Sequence, residues 1–304
     1  MFKSMATQEI INRLKEKIEQ AEAIVVGGAS GMSAASGFVF YYQDDDVFRS
    51  LAGSLAQKYN HHNLFDLFYD RRLSRGEYWA LVLRTTRYVY ECPTGGTYRD
   101  LAELLEGKTF YVATTNQDAQ FFRVFPRERI TRLQGDWRYW QCSRPCHDRI
   151  YDNDETSRRL IGEIRNDALP DDRIPRCPHC GAELAPWVRS YTFLEGAFYR
   201  QEMDRYLEFL RQNANRKTLF LELGVGMMTP MFIKEPFMNM VHQWPRAFYA
   251  TINPQHAIIP AEIAPKSLAV QDDIAVTLKQ LLGKSPEGIG PLDRSHIFNP
   301  SRVY

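Results

Sequence analysis

Four cysteines in two close pairs, Cys142-x3-Cys146 and Cys177-x2-Cys180, are the residues of this chain with the clearest chemical use. Pro145, Pro178 and Gly181 place each pair in turn-forming sequence. Two turns presenting two thiolates apiece satisfy the tetrahedral preference of zinc, and four thiolates close the coordination shell, so the expected metal is structural. His147 and His179 could substitute as ligands, but the spacing does not require them. Three other segments carry polar groups that could hold a ligand. Gly28-Ala29-Ser30-Gly31-Met32-Ser33-Ala34-Ala35-Ser36-Gly37 follows one apolar strand, Thr114-Thr115-Asn116-Gln117-Asp118 follows another, and Gln134-Gly135 leads into the first cysteine pair.

Glycines 28, 31 and 37 let a backbone approach a pyrophosphate closely, and a helix starting near Ser33 would aim its N–H groups at the anion. The G-x-G-x-x-G spacing is absent, and no acidic residue about 20 positions on ends a second strand, which argues against an ordinary dehydrogenase. Asn116 and Asp118 have two readings: groups fixing a ligand at a strand end, or caps for a helix beginning at Ala119.

These groups need a frame. Ile10, Ile11, Leu14, Ile18 and Ala21 share one face of a helix over residues 8 to 21, with Thr7 as its N-cap. Ala23 to Gly27 reads as a strand buried on both faces, and further strands are expected at Thr109 to Thr115, Ile130 to Leu133, Thr218 to Leu223 and Ala247 to Ile252. With helices between several of them, the fold class is α/β, a doubly wound, Rossmann-like parallel sheet. Ligands of such sheets bind outside the carboxyl ends of the strands, where Gly28, Asn116, Gln134, Gly224 and Asn253 fall. Residues 40 to 105, rich in Tyr, Phe, Leu and Arg, read as a helical insertion. Residues 147 to 176 are dense in charge and read as a solvated excursion of the metal module.

The chain has 304 residues, 44% hydrophobic and 25% charged, with a formal net charge of +1. That suffices for a full core and gives no field favouring nucleic acid or an anionic membrane surface. No stretch approaches a membrane span. Met1-Phe2-Lys3-Ser4-Met5 opens into an amphipathic helix rather than a secretory segment, and four paired cysteines suit a reducing compartment, so a cytoplasmic protein is expected. Cys92 reads as a packed small hydrophobe.

Together the motifs resemble the sirtuin family. Gly31-Met32-Ser33 with Ser36-Gly37 is similar to its glycine-serine cofactor loop, Thr115-Asn116-Gln117-Asp118 to its Gln-Asn-Ile-Asp strand end, and the cysteines to its zinc ribbon. Leu184-Ala185-Pro186-Trp187-Val188-Arg189 resembles the segment after the ribbon, Gly224-Val225-Gly226 the Gly-Thr-Ser loop, and Ile252-Asn253 the Ile-Asn pair. The resemblance runs from about residue 8 to 285. It implies an NAD-binding domain built from residues 1–39, 106–141 and 182–304, a helical insertion at 40–105 and a zinc-binding module at 142–181. It implies that Gly28, Ala29, Ser30, Ser33, Ala34, Phe38, Gln117, Gly224, Val225, Gly226 and Asn253 bind NAD. Asn116 is assigned to the nicotinamide ribose and Asp118 to the nicotinamide carboxamide.

The departures sharpen the expectation. Gln134 stands where the family has its proton-abstracting histidine, and Val39-Phe40-Tyr41-Tyr42 replaces its Pro-Asp-Phe-Arg stretch. This pattern resembles the macrodomain-linked class M sirtuins, which act as protein mono-ADP-ribosyltransferases on a lipoylated carrier similar to the glycine cleavage H protein. A carboxamide does not titrate near neutral pH, so Gln134 can orient a ribose hydroxyl but cannot take its proton. Losing a positioned base costs ~10² to 10⁴ in rate, so lysine deacylation should be poor while ADP-ribosyl transfer survives. The other readings are an NAD-dependent deacylase for an unusual acyl group and a catalytically dead NAD or ADP-ribose sensor. A macrodomain hydrolase is a further expected partner.

Remaining features have plainer expectations. Asp44-Asp45-Asp46 reads as a solvated loop, and His61-His62 as a surface pair. Met227 and Met228 should line the crevice or its core. Phe38, Phe40, Tyr41 and Tyr42 should form a flexible cofactor lid, and Trp137, Tyr139 and Trp140 should pack the ribbon against the sheet.

Overall fold

Strand β1 (Ala23–Gly28) is buried along its whole length, as its unbroken apolar run requires. In the computed structural model, which describes residues 7–285, it lies at the centre of a sheet. The other strands are β2 (Phe110–Thr114), β3 (Ile130–Arg132), β4 (Gly135–Cys142), β5 (Ile150–Asp152), β6 (Leu184–Val188), β7 (Thr218–Leu223), β8 (Phe248–Ile252) and β9 (Ser267–Val270). The expectation for Met1 to Met5 lies outside the described residues.

Six strands form one sheet in the order β3-β2-β1-β7-β8-β9, parallel throughout. This is the Rossmann-like α/β fold read from the sequence, with β9 as a strand that reading omitted. Four residues between polar neighbours give too short a signal. The chain winds outward from β1 through β2 to β3 and later returns beside β1 as β7, which makes the β1/β7 boundary the topological switch point.

Alternate residues of each strand feed opposite cores. Ile24, Val26, Val112 and Leu221 pack with Ile11, Leu14 and Ile18 of the Gln8–Gln20 helix and with Leu278 of the Ile274–Leu281 helix. Val25, Tyr111, Phe220 and Tyr249 face Tyr206 and Leu210 of the Ala197–Asn213 helix and Phe237 of the Lys234–Gln243 helix. Thr7 caps the first helix, its hydroxyl accepting from the Ile10 N–H at 3.4 Å. No helix among the described residues is long and apolar enough to cross a membrane.

Strands β5, β4 and β6 form a separate antiparallel sheet, with β4 in the middle. Its tryptophans correct one expectation. Trp137 stacks on Phe68 at 5.1 Å between ring centroids, and Trp140 meets Trp79 edge-on at 5.3 Å. They therefore seat the small sheet on helices Leu64–Phe68 and Arg75–Glu91, not on the parallel sheet. Tyr139 instead lies against Trp187 and Phe198. Residues 147 to 176 are likewise more than a solvated excursion. Leu160, Leu169 and Ile174 join Trp79, Trp140, Cys142 and Cys177 in one apolar cluster, so helix Asp154–Ile161 is packed despite its charges.

Candidate active site and metal centre

The strand ends gather the predicted ligand groups at one edge of the parallel sheet. Gly28 closes β1, Asn116 and Gln134 each follow their strand by two residues, and Gly224 and Asn253 come directly after β7 and β8. At the switch point the two glycine turns touch. Gly31 N–H donates to the Gly224 carbonyl at 3.1 Å, and a Cβ on Gly31 would sit 2.6 Å from the Gly224 Cα. The helix after β1 is six residues long and starts at Ser30 rather than near Ser33. It starts early because the Ala29 carbonyl already accepts from Met32 N–H at 2.8 Å.

The groups predicted from the sequence occupy distinct layers here. Ser30 and Ala34 are exposed at the rim, while Ala29, Ser33 and Val225 are buried. Gly226 is open, with no atom within 4 Å of a Cβ position. Asn253 is an organiser of backbone: its Nδ2 donates to the Val225 carbonyl at 3.0 Å and its Oδ1 accepts from the N–H groups of Gln255 and His256. Phe38 is 5% exposed and, with Phe40, packs against Tyr88, so both belong to an apolar cluster with Phe48, Leu51 and Leu81 rather than to an exposed lid. Of that aromatic set, Tyr42 is the exposed member, and its hydroxyl reaches Ser30.

Asp118 uses its two oxygens differently. Oδ1 accepts from the Gln120 N–H at 3.1 Å, a local cap for the short turn of helix at Gln120–Arg123. Oδ2 accepts from the Ser33 hydroxyl and lies 3.5 Å from the Tyr98 hydroxyl. Burial pushes the Asp118 carboxyl above the usual carboxylate range, against the pull of the Ser33 and Gln120 donors, and the charge of Asp136 adds to the rise. Asn116 caps nothing. Its Nδ2 donates to the Ala29 carbonyl and to the Tyr98 hydroxyl, each at 3.0 Å.

Gln134 occupies the turn between β3 and β4, and its carbonyl is held twice, by Gln117 Nε2 at 3.1 Å and by Arg189 N–H at 2.9 Å. Its carboxamide has no hydrogen-bond partner among the described residues, which leaves it available to a ligand. The next residue, Gly135, has φ +85°, and a Cβ there would lie 1.9 Å from the Trp187 carbonyl oxygen. Only glycine permits this turn.

Two residues at this place were not singled out by the sequence reading. Tyr98, fully buried, reaches the site from the Gly96–Leu104 helix, where its ordinary amphipathic spacing gave no signal. The second is Arg189, one of many arginines in the sequence and without a distinguishing pattern. Its Nη2 donates to the Leu133 carbonyl at 2.9 Å, its guanidinium lies over the Phe193 ring at 4.2 Å, and its buried Nε has no partner among the described residues.

The cysteines converge as predicted. The four sulfurs lie within 4.8 Å of one another, with Cys142 to Cys180 at 3.6 Å and Cys146 to Cys177 at 3.7 Å. A tetrahedron with zinc–sulfur bonds of 2.3 Å has edges of about 3.8 Å, so the set fits zinc, whereas a disulfide would bring two sulfurs to about 2 Å. His147 Nε2 lies 3.4 Å from the Cys177 sulfur and 2.8 Å from the Tyr151 hydroxyl, beside the tetrad rather than in it. Cys92 is buried, accepts from Gln120 Nε2 at 3.3 Å, and has its thiol pushed up to about 11 by burial, so it is a packing residue.

Other polar runs have structural roles. Asp45 caps the Asp46–Ala52 helix through the Phe48 N–H at 2.7 Å, and Asp44 pairs with Arg49 at 2.8 Å. His61 is half-buried on Asp70 at 2.7 Å rather than at the surface, whereas His62 is exposed. Met227 and Met228 are 53% and 64% exposed and so line no core.

Comparison with known proteins agrees with this geometry. A sirtuin solved for the structural basis of its substrate affinity superposes with a TM-score of 0.58 at 16% identity, covering 92% of this chain and 99% of the other. A complex of Sir2 with a p53 peptide and NAD+ gives 0.52 at 15% identity, over 90% and 97%. These likenesses establish the fold. A protein ADP-ribosyltransferase of Staphylococcus aureus strain Mu50 is 32% identical over 274 residues, which span 88% of this chain and 86% of that relative. This chain belongs to the sirtuin-type protein ADP-ribosyltransferases. Another relative of this sirtuin-type chain, a probable bifunctional ADP-ribose hydrolase/ADP-ribosyltransferase of Fusarium oxysporum, is 26% identical over 292 residues. The alignment covers 90% of this chain but 48% of the Fusarium protein, so the chain spans about half of that relative's length. No protein-family model matches the sequence.

Proposed function

We propose that this chain is an NAD-dependent protein mono-ADP-ribosyltransferase, with structural zinc in the cysteine tetrad. The carrying observation is the Gln134 carboxamide, a group that cannot titrate, with no hydrogen-bond partner of its own, on a turn whose carbonyl is fixed by Gln117 and Arg189. The bond broken is the glycosidic bond of nicotinamide. The bond formed joins the same anomeric carbon to an acceptor nucleophile, whose proton passes to solvent.

The roles follow from chemistry and position. Gly28, Ala29, Ser30, Ser33, Ala34, Gly224, Val225 and Gly226 surround the switch point, where backbone N–H groups and a lack of side-chain bulk suit a pyrophosphate. Asn116 and Asp118 would orient the nicotinamide end, and Gln134 would hold a ribose hydroxyl without accepting its proton. Phe38, Gln117 and Asn253 then act through the walls and turns they hold. Deacylation by the sirtuin route needs a base to take a ribose proton, and position 134 supplies none.

For the acceptor, a lipoylated carrier resembling the glycine cleavage H protein follows from the class M pattern, and the Fusarium relative's name supports an ADP-ribose hydrolase acting on the same modification. The test is incubation of the protein with labelled NAD, a lipoylated carrier and a panel of acyl-lysine peptides. Label on the carrier is expected. Deacylation of the peptides at ordinary sirtuin rates would overturn the proposal.

A further inference from the structure

Four side chains from three separate segments form a hydrogen-bonded chain whose direction is fixed by its ends. Asn116 Nδ2 has two protons, and it spends one on the Ala29 carbonyl at 3.0 Å and one on the Tyr98 hydroxyl oxygen at 3.0 Å. The Ala29 carbonyl can only accept, so the carboxamide must present its NH2 to this side. Tyr98, its oxygen already accepting, lies 2.9 Å from the Ser33 hydroxyl, and Ser33 in turn donates to Asp118 Oδ2. An ionised carboxylate only accepts, so every proton in the chain points toward it. Tyr98 and Ser33 are 0% and 8% exposed, which leaves water little part in satisfying them.

We propose that Tyr98 is a positioning residue which locks the Asn116 carboxamide with Oδ1 turned to the ligand, and which ties that orientation to the charge on Asp118. The inference rests on the ADP-ribosyltransferase reading only for the identity of the ligand. An Oδ1 facing outward accepts from a ribose hydroxyl; an NH2 in its place would not. When Asp118 is protonated it can donate to Ser33, Ser33 to Tyr98, and Tyr98 to Asn116 Oδ1, which needs the carboxamide turned over. The turned amide sets its oxygen against the Ala29 carbonyl, two acceptors with no proton between them, and offers the ligand the wrong group. The titratable groups facing Asp118 are Tyr98 on the Gly96–Leu104 helix, Asp136 on β4 and Cys92 after the Arg75–Glu91 helix. Tyr98 is held protonated by burial, its ionisation pushed well above the ordinary value, so it passes a hydrogen bond and does not act as an acid. Burial raises the Asp118 carboxyl above its ordinary value, against the pull of the Ser33 and Gln120 donors.

Tyr98→Phe removes one oxygen and keeps the ring packed on Phe121 at 4.9 Å. The measurement is kcat/KM for NAD as a function of pH in the full chain, with NAD affinity and thermal midpoint read in parallel. A lost neutral hydrogen bond to a positioned amide corresponds to about a ten-fold fall in kcat/KM at neutral pH. The acid limb should move to higher pH, because the variant loses a donor that favours the Asp118 carboxylate. Wild-type kinetics with an unchanged acid limb would overturn the proposal, as would a loss of activity with an unmoved acid limb. The Asn116 side-chain NH2 signals in a 15N-labelled sample give a second readout. They should shift with pH across the Asp118 titration in the wild type and lose that coupling in the variant; persistence of the coupling would also overturn it. Wild-type protein that transfers no ADP-ribose would instead refute the proposed function and leave this spectroscopic test standing.

Discussion

Gly31 and Gly224 meet backbone to backbone across the switch point, joined by an N–H to carbonyl bond of 3.1 Å. A Cβ on Gly224 would lie 2.5 Å from the Gly31 Cα, and Gly224 also has φ +69°. Two loops from the ends of β1 and β7 are thereby clamped together at the place proposed for a pyrophosphate.

Gly224→Ala therefore meets both a steric clash with backbone and an unfavourable conformation. A destabilisation of about 1–3 kcal/mol is expected from forced overpacking, together with loss of NAD affinity. Urea unfolding and NAD titration check it, and a variant with wild-type midpoint and affinity contradicts it.

Asn116→Ala removes one donor to a backbone carbonyl and one to a tyrosine, so its stability cost is about 2 kcal/mol, one for each bond. Its effect on transfer is expected to be larger, on the order of 100-fold or more, as for other groups that hold reacting parts in place. Autoradiography with labelled NAD, set beside the near-ultraviolet circular dichroism of the folded variant, separates the two effects. Undiminished labelling would return Asn116 to a purely structural role.

Gln134→His introduces a titrating group where none stands. An inflection near the histidine value of about 6.5 should appear in the pH profile of NAD cleavage, and the wild type should lack it. Gln134→Ala should lower transfer only by the worth of a neutral hydrogen bond, about ten-fold or less. A wild-type profile already controlled by a group near 6.5 at this position would contradict the assignment.

Asp118 makes a signed prediction for stability. Its folded-state ionisation is raised by burial, so the favourable contribution is present in full below the unfolded value and is lost as pH rises through the folded one. Asp118→Asn should remove this dependence. The variant should be more stable than wild type at neutral pH, with the gap closing on acidification, while transfer falls. Parallel denaturant midpoints at pH 4 to 8 read the difference, and identical pH dependence in both proteins would rule it out.

Zinc should bind at one ion per chain and be released by chelation or by Cys177→Ser. Because Cys142 and Cys177 belong to the cluster that holds Trp79, Trp140 and Leu160, loss of metal should expose tryptophan and lower the thermal midpoint. Metal analysis with intrinsic fluorescence decides this, and unchanged emission in metal-free protein would oppose it.

Much of the frame was legible because parallel strands bury both faces and announce themselves as short apolar runs: β1, β2, β3, β7 and β8 all fall where the pattern put them. The cysteine pairs were legible because thiolate spacing is a local property. What escaped depends on partners far away in the chain. Leu160, Leu169 and Ile174 look sparse among charges, and they become core through the Arg75–Glu91 helix together with Trp140 and Leu184 of the small sheet. Trp137 and Trp140 were assigned to the wrong surface because aromatic residues do not declare which layer they will meet. Tyr98 carries no local mark at all; its chemistry exists only where the segments holding Ser33, Asn116 and Asp118 come together.

One strand has two ends with different duties. Residue 134 stands immediately before β4, and Cys142 is the last residue of β4. Between them the strand is not straight: Gly135 has φ +85°, and the pairing with β6 shifts register between Asp136 and Trp140. The Gln134 end takes its position from Gln117 and Arg189, which grip its carbonyl, while the thiolate end is embedded with Trp79 and Leu160, so each end answers to its own neighbours.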